Sequence, residues 1–235
     1  KNPRWFGQNA TPNGSLNPAL GLTGIRLCLA EPVMFRTQMR AILRAAAHGK
    51  VNMMWPMVAS LTELRQCIVH FETAKRQLAE RGEEYGEVSL GCMIEIPSAA
   101  LTVGSLLKLV DFISIGTNDL IQYTLSVDRG DDSVSHLYQP GHPAVLKLLQ
   151  HIIRTANRMG KSVSVCGEMA GDSTYTRLLL GMGLRRFSMN PSNLLTIKDI
   201  VLRSHTGRLE EESAKLMRNE DPEKTDKLLK DLNKM

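Results

Sequence analysis

Short apolar runs alternate with stretches of helical period from Pro32 to about Arg203, and this alternation constrains the fold more than any other feature. Residues 32–48 read as a helix: Pro32 suits a first turn, and Phe35, Met39, Ile42, Leu43 and Ala46 keep the 3.6 period. Residues 60–81 read as a second, with Ser60 or Thr62 as N-cap and Leu64, Cys67, Ile68, Phe71 and Leu78 on one face. Gly49 and Gly82 stop them. Further helical stretches cover 98–108, 143–159, 173–181 and 193–203. Between them, the runs at 51–58, 88–96, 110–115, 161–166 and 186–189 read as five strands, the first limited by Pro56. Such alternation means parallel strands joined by right-handed crossovers. Near-continuous apolar strands mean a sheet covered on both faces. The class is therefore α/β. Five β/α units fit an open sheet, or the last five of a (β/α)8 barrel.

The flanks read differently. Residues 1–22 are rich in Asn, Pro and Gly, the chemistry of a loop that continues from something upstream. Residues 23–205 carry the alternation. From 206 to 235 the chain turns polar, with Glu210-Glu211-Glu212 and sparse Leu228, Leu229 and Leu232, as expected of a surface helix or a partly disordered tail. Hydrophobic residues make up 43% of the chain and charged residues 23%, which excludes collagen-like and low-complexity classes. Aromatics are only 5%, so the core is aliphatic. No apolar run has the length of a membrane span. The net charge of +5 admits anionic partners, but no Lys/Arg run with interleaved aromatics points to nucleic acid. Cys28, Cys67, Cys92 and Cys166 are far apart and form no CxxC pair, which excludes a zinc site and fits free thiols in a reducing cytoplasm.

In parallel α/β folds the reactive groups gather at the C-terminal ends of strands. Here those ends carry Glu95, then Asn118 and Asp119, then Cys166 and Glu168, then Asn190. Glu95 and Asp119 on adjacent strand ends suit a hard cation such as Mg²⁺, which takes one or two carboxylates and leaves the rest of its shell to water and phosphate. Against this stands a structural reading, in which Glu95 pairs with an Arg and Asp119 caps the turn at Thr117-Asn118-Asp119. Arg129 could hold a phosphate bidentately, or pair with Asp128 or Asp131. Cys166 at a strand end can exchange a proton, or simply pack in the core. His136 reads as a loop hydrogen-bonder, and Trp55 and Met57 as core, with Met57 able to line a pocket.

Five motifs in order carry a resemblance: Met93–Pro97 (MIEIP), Gly116–Gly130 (GTNDLIQYTLSVDRG), His136–Pro140 (HLYQP), Val165–Gly171 (VCGEMAG) and Leu180–Gly183 (LGMG). From about Asn17 to Arg203 the chain resembles the C-terminal, PEP-binding domain of phosphoenolpyruvate-protein phosphotransferases, Enzyme I of the sugar phosphotransferase system. Pyruvate phosphate dikinase and PEP synthase share the broader family. The resemblance implies a TIM-type (β/α)8 barrel that binds phosphoenolpyruvate (PEP) and Mg²⁺ and forms a homodimer in the cytoplasm. It implies Glu95 and Asp119 as metal ligands, Asn118 and Arg129 as contacts to the PEP carboxylate and phosphate, and Cys166 as the acid that protonates the enolate carbon. The phosphoryl group would pass to a His on a swivelling N-terminal domain and on to the carrier protein HPr. Two features depart from the family. The upstream strands with their phosphate-binding Arg residues, and the phospho-acceptor His motif, are not in this sequence. Thr23 stands where the pattern Asn-Pro-x-Leu-Gly-x-Arg has Arg, with Arg26 shifted by three. The chain by itself is then expected not to phosphorylate HPr. Alternative readings are a non-catalytic dimerisation or regulatory module, and part of a dikinase-type enzyme.

Overall fold

The computed structural model describes residues 18–234. Most of the loop-like segment at 1–22 therefore lies outside the described residues. The chain divides into two compact units, 1–92 and 93–235.

The first unit opens with a 3₁₀ turn at Pro18–Leu20. Helices α1 (Ile25–Ala30) and α2 (Pro32–Ala46), strand β1 (Val51–Trp55), helix α3 (Leu61–Glu80) and strand β2 (Val88–Ile94, which ends in the second unit) follow. In α2, Pro32 occupies the first turn, and Phe35, Met39, Leu43 and Ala46 are the buried stripe. A capping box starts α3: Glu63 N donates to Ser60 Oγ at 3.2 Å, and Ser60 N donates to Glu63 Oε2 at 3.0 Å. β1 and β2 pair in parallel from Val51↔Val88 to Trp55↔Cys92. The expected strand 51–58 stops at Trp55 because Pro56 lacks a donor and Met57 turns to φ +57°. Met57 is buried, seated against Gly24 (φ +55°), where a Cβ would come 2.6 Å from its Cγ.

The second unit contains α4 (Pro97–Leu101), α5 (Val103–Leu106), β3 (Phe112–Gly116), α6 (Thr117–Leu125), α7 (Pro143–Arg158), β4 (Ser162–Cys166), α8 (Ser173–Gly181), α9 (Leu194–Leu202), α10 (Thr206–Leu216) and α11 (Pro222–Asn233). β3 and β4 pair in parallel from Phe112↔Ser162 to Gly116↔Cys166. Alternation puts Ile113, Ile115, Val163 and Val165, all buried, on one face of this pair. Phe112, Ser114, Gly116, Ser162, Ser164 and Cys166 line the other. Ser114 and Gly116 are buried too, so both faces are covered in the middle of the pair, but beyond Phe112 the second face is small and polar rather than aliphatic.

The expected strand 186–189 is also reduced. Only Phe187 bridges, in parallel with Val165. Val165 N donates to Arg186 O (3.1 Å) and Ser188 N donates to Val165 O (2.9 Å). Gly183 at φ +98° precedes this segment and the 3₁₀ turn at Pro191–Asn193 follows it. The polar stretch 206–235 holds two capped helices, with His205 and Asp221 as N-caps. Leu209, Ser213 and Leu216 of α10 and Thr225, Leu229 and Leu232 of α11 are buried, and both helices pack on α8.

Candidate active site

Glu95 stands just past β2, at 2% exposure. Its carboxylate lies against the end of β3, where Gly116 makes room for it. A Cβ at Gly116 would come 2.7 Å from Glu95 Oε2 and 2.9 Å from both Glu95 Cβ and Met93 Sδ. α6 begins immediately after Gly116, so Asn118 and Asp119 occupy its first turn. A carboxylate there is favoured by the helix dipole. Sequence reasoning placed Asp119 in a turn and did not anticipate the helix. No side chain caps it: its N-cap is Gly116.

The segments after β3 and β4 are tied together by side chains. Thr117 Oγ1 donates to Cys166 O at 2.9 Å, and Glu168 N donates to Asn118 Oδ1 at 3.0 Å. This engages the Asn118 amide oxygen as an acceptor, its NH₂ being the donor end. Gly167 (φ +98°) permits the approach: a Cβ there would meet Thr117 Oγ1 at 2.6 Å and Asn118 Oδ1 at 2.9 Å. Tyr138 closes the group, donating from its hydroxyl to Asn118 O at 3.4 Å. Burial pushes the Tyr138 phenol up to about 12, with the carboxylates of Glu168 and Asp119 adding to the rise and Arg129 opposing it. The Tyr138 hydroxyl therefore keeps its proton at neutral pH, beside Asn118, Asp119, Arg129 and Glu168.

Arg129 pairs with Glu168, Nη1 to Oε1 at 3.0 Å, and not with Asp128 or Asp131. Those two aspartates cap their own turn, Asp128 Oδ1 accepting from Gly130 N and Asp131 Oδ1 from Ser133 N. The Arg129–Glu168 contact is monodentate and exposed, so an anion offering two oxygens can compete for the guanidinium.

Cys166 is partly exposed at the end of β4, unlike the buried Cys67 and Cys92. Its sulfur accepts from Ser114 Oγ at 3.3 Å and faces Ile115 O at 3.5 Å, while Ser164 Oγ donates to Ser114 Oγ at 3.0 Å. Glu95, Asn118, Asp119, Arg129 and Cys166 all lie in the second unit, at or just past the ends of β2, β3 and β4 or in the loop after α6. Sequence reasoning missed the parts played by Ser114, Ser164, Tyr138 and Glu168. Tyr138 and Glu168 lie inside recognisable motifs, and the serines lie in strand runs read as apolar. His136 sits exposed in a 3₁₀ turn.

Among the described residues no group of three or more His, Cys, Asp and Glu forms a ready-made metal cage. The site offers two carboxylates, one of them fully buried over a Cβ-less cradle. That hard, oxygen-only donor set fits Mg²⁺. No helix among the described residues is long and apolar enough to cross a membrane.

Comparison with known proteins bears on the family and the fold. The family described as PEP-utilising enzyme, PEP-binding domain, matches residues 10–206. The phosphoenolpyruvate-protein phosphotransferase of Cupriavidus necator is 53% identical over 219 residues, covering 93% of this chain and 37% of that protein. The protein of that name from Enterococcus faecalis is 47% identical over 199 residues, 83% of this chain and 35% of its own length. The chain spans about a third of the length of the curated relatives it matches. Among solved structures, a citrate lyase from Burkholderia xenovorans aligns with a TM-score of 0.52 at 22% identity, over 69% of this chain and 52% of that one. This last likeness bears on the fold alone and places it with the barrel-type α/β proteins, of which this chain carries a part. On the span and order of the match, the chain belongs to the PEP-binding domain family of the PEP-utilising enzymes.

Proposed function

We propose that this chain is the PEP- and Mg²⁺-binding part of a phosphotransferase that moves the phosphoryl group of PEP to a protein histidine and on to HPr, releasing pyruvate. The observation that carries the reading is the buried Glu95 carboxylate against Gly116, beside Asn118 and Asp119 and across the ladder from Cys166. Glu95 and Asp119 would hold the cation, which supplies neutralisation of the charge on phosphate and enolate. The Asn118 amide, its oxygen already engaged by Glu168 N, presents its NH₂ to the substrate carboxylate. Arg129 exchanges Glu168 for the phosphate. Cys166 delivers a proton to the methylene carbon of the enolate as pyruvate forms. The same reading carries a homodimer in the cytoplasm, with the phospho-acceptor His on a separate domain.

The test is calorimetry with oxalate, a mimic of enolpyruvate, with and without Mg²⁺. Binding is expected only with the metal, and Glu95→Gln is expected to abolish it. Binding that survives Glu95→Gln overturns the assignment.

A second reading, a ligand-binding or regulatory module without turnover, is favoured by one local observation. Thr23 stands at the family's Arg position, and the nearby Arg26 is engaged by its own loop, Nη1 donating to Leu20 O at 2.7 Å. Restoring the cation with Thr23→Arg should then raise PEP affinity. No gain counts against a merely weakened site.

A further inference from the structure

Ser114 is 5% exposed in the middle of β3, and burying a hydroxyl is unfavourable unless it is hydrogen-bonded. Its bonds run in one direction. Ser164 donates to Ser114, Ser114 donates to the sulfur of Cys166, and the thiol faces the Ile115 carbonyl. The ladder builds this arrangement: Ser114 lies opposite Ser164, and two residues on, Gly116 lies opposite Cys166 on the same face. A neutral thiol is a weak acceptor, so the Ser114 bond contributes little while sulfur keeps its proton. The same bond becomes charge-assisted once sulfur is negative. It therefore strengthens at the moment a proton leaves Cys166, which is the signature of an interaction that favours a reaction rather than a resting fold.

We infer that Ser114, held in line by Ser164, is the positioning residue for Cys166. It aims the thiol and receives the negative charge left on sulfur when the proton departs. This rests on the reading of Cys166 as the proton donor to an enolate. In that step the S–H bond breaks and its electron pair stays on sulfur. The C=C pair of the enolate forms the new C–H bond, and the enolate oxygen becomes the ketone of pyruvate. Ser114 itself transfers nothing.

The test uses this chain and does not need turnover. Cys166 is alkylated with iodoacetamide at one fixed pH, and its rate is read by peptide mass spectrometry, with Cys28, also partly exposed, as internal reference. Ser114→Ala should slow alkylation of Cys166 by about three- to tenfold, the size of one net hydrogen bond, and leave Cys28 unchanged. Ser114→Thr, which returns the hydroxyl, should restore the rate. Should Ser114→Ala fold poorly, Ser164→Ala removes only the aligning bond and should slow Cys166 in the same direction. An unchanged Cys166 rate in the folded variants, equal slowing of Cys28, or no rescue by Thr overturns the inference. Oxalate binding with Mg²⁺, measured on the same samples, separates the two ideas. If the unsubstituted chain fails to bind while the labelling pattern holds, the reading of the site falls and takes the proton-delivery role with it, leaving only the coupling of Ser114 to sulfur.

Discussion

A methyl group at position 116 would land on a carboxylate. Gly116→Ala therefore forces Glu95 or the end of β3 to move, since the added carbon would sit 2.7 Å from Glu95 Oε2. We expect about 1–3 kcal/mol of destabilisation from overpacking, together with loss of Mg²⁺-dependent oxalate binding. Chemical denaturation and calorimetry on the same variant would check both; full binding by Gly116→Ala would refute the cradle. At this scale the sequence points to candidates through strand ends, where reactive groups concentrate. Their partners are not legible in it. Arg129 finds Glu168 across 39 residues of sequence, past two nearer aspartates, and no local pattern announces a pairing that the ladder creates. The hydroxyl line to Cys166 escaped for the same reason: Ser114 and Ser164 meet only once β3 and β4 are in register.

At the scale of elements, the long periodic helices α2, α3 and α7 were legible from their apolar stripes and caps, within a residue or two. α6 was not, because its first turn is Thr-Asn-Asp, residues that compete with helix by bonding to nearby backbone. Burial of Leu120 and Ile121 overrides that preference. α10 and α11 looked like a solvated tail because their apolar residues are few, yet each presents one buried line to its neighbours. Gly181, the last residue of α8, sets how closely α10 packs, since a side chain there would strike Ser213 Oγ and the Leu209 carbonyl. Gly181→Ala should destabilise by about 1–3 kcal/mol and lower the melting temperature by roughly 2–4 °C per kcal/mol. An unchanged melting curve would show that α10 yields freely.

For the whole molecule, the alkaline limb of stability is set by groups that folding keeps protonated. Burial pushes the Cys67 and Cys92 thiols from 9.0 up to about 12, and the Tyr138 and Tyr175 phenols from 10.0 up to about 12. The folded chain then holds protons that the unfolded chain has already released, so stability falls as pH rises above about 9 and continues to fall toward 12. These groups leave stability flat between pH 6 and 8. Urea midpoints should accordingly drop between pH 8 and 11; equal midpoints would mean that these side chains are open to water. The parallel pairing also carries a kinetic consequence. The bond from Ser114 to Cys166 spans 52 positions, with the whole of α6 and α7 in between. Local helices form in microseconds, whereas so distant a closure must wait for its ends to meet. On refolding from denaturant, the candidate site should be among the last parts to appear, trailing the helical signal. For a chain growing from a ribosome, Glu95 and Asp119 emerge before Cys166, and β3 has no β4 to pair with until Cys166 has cleared the tunnel.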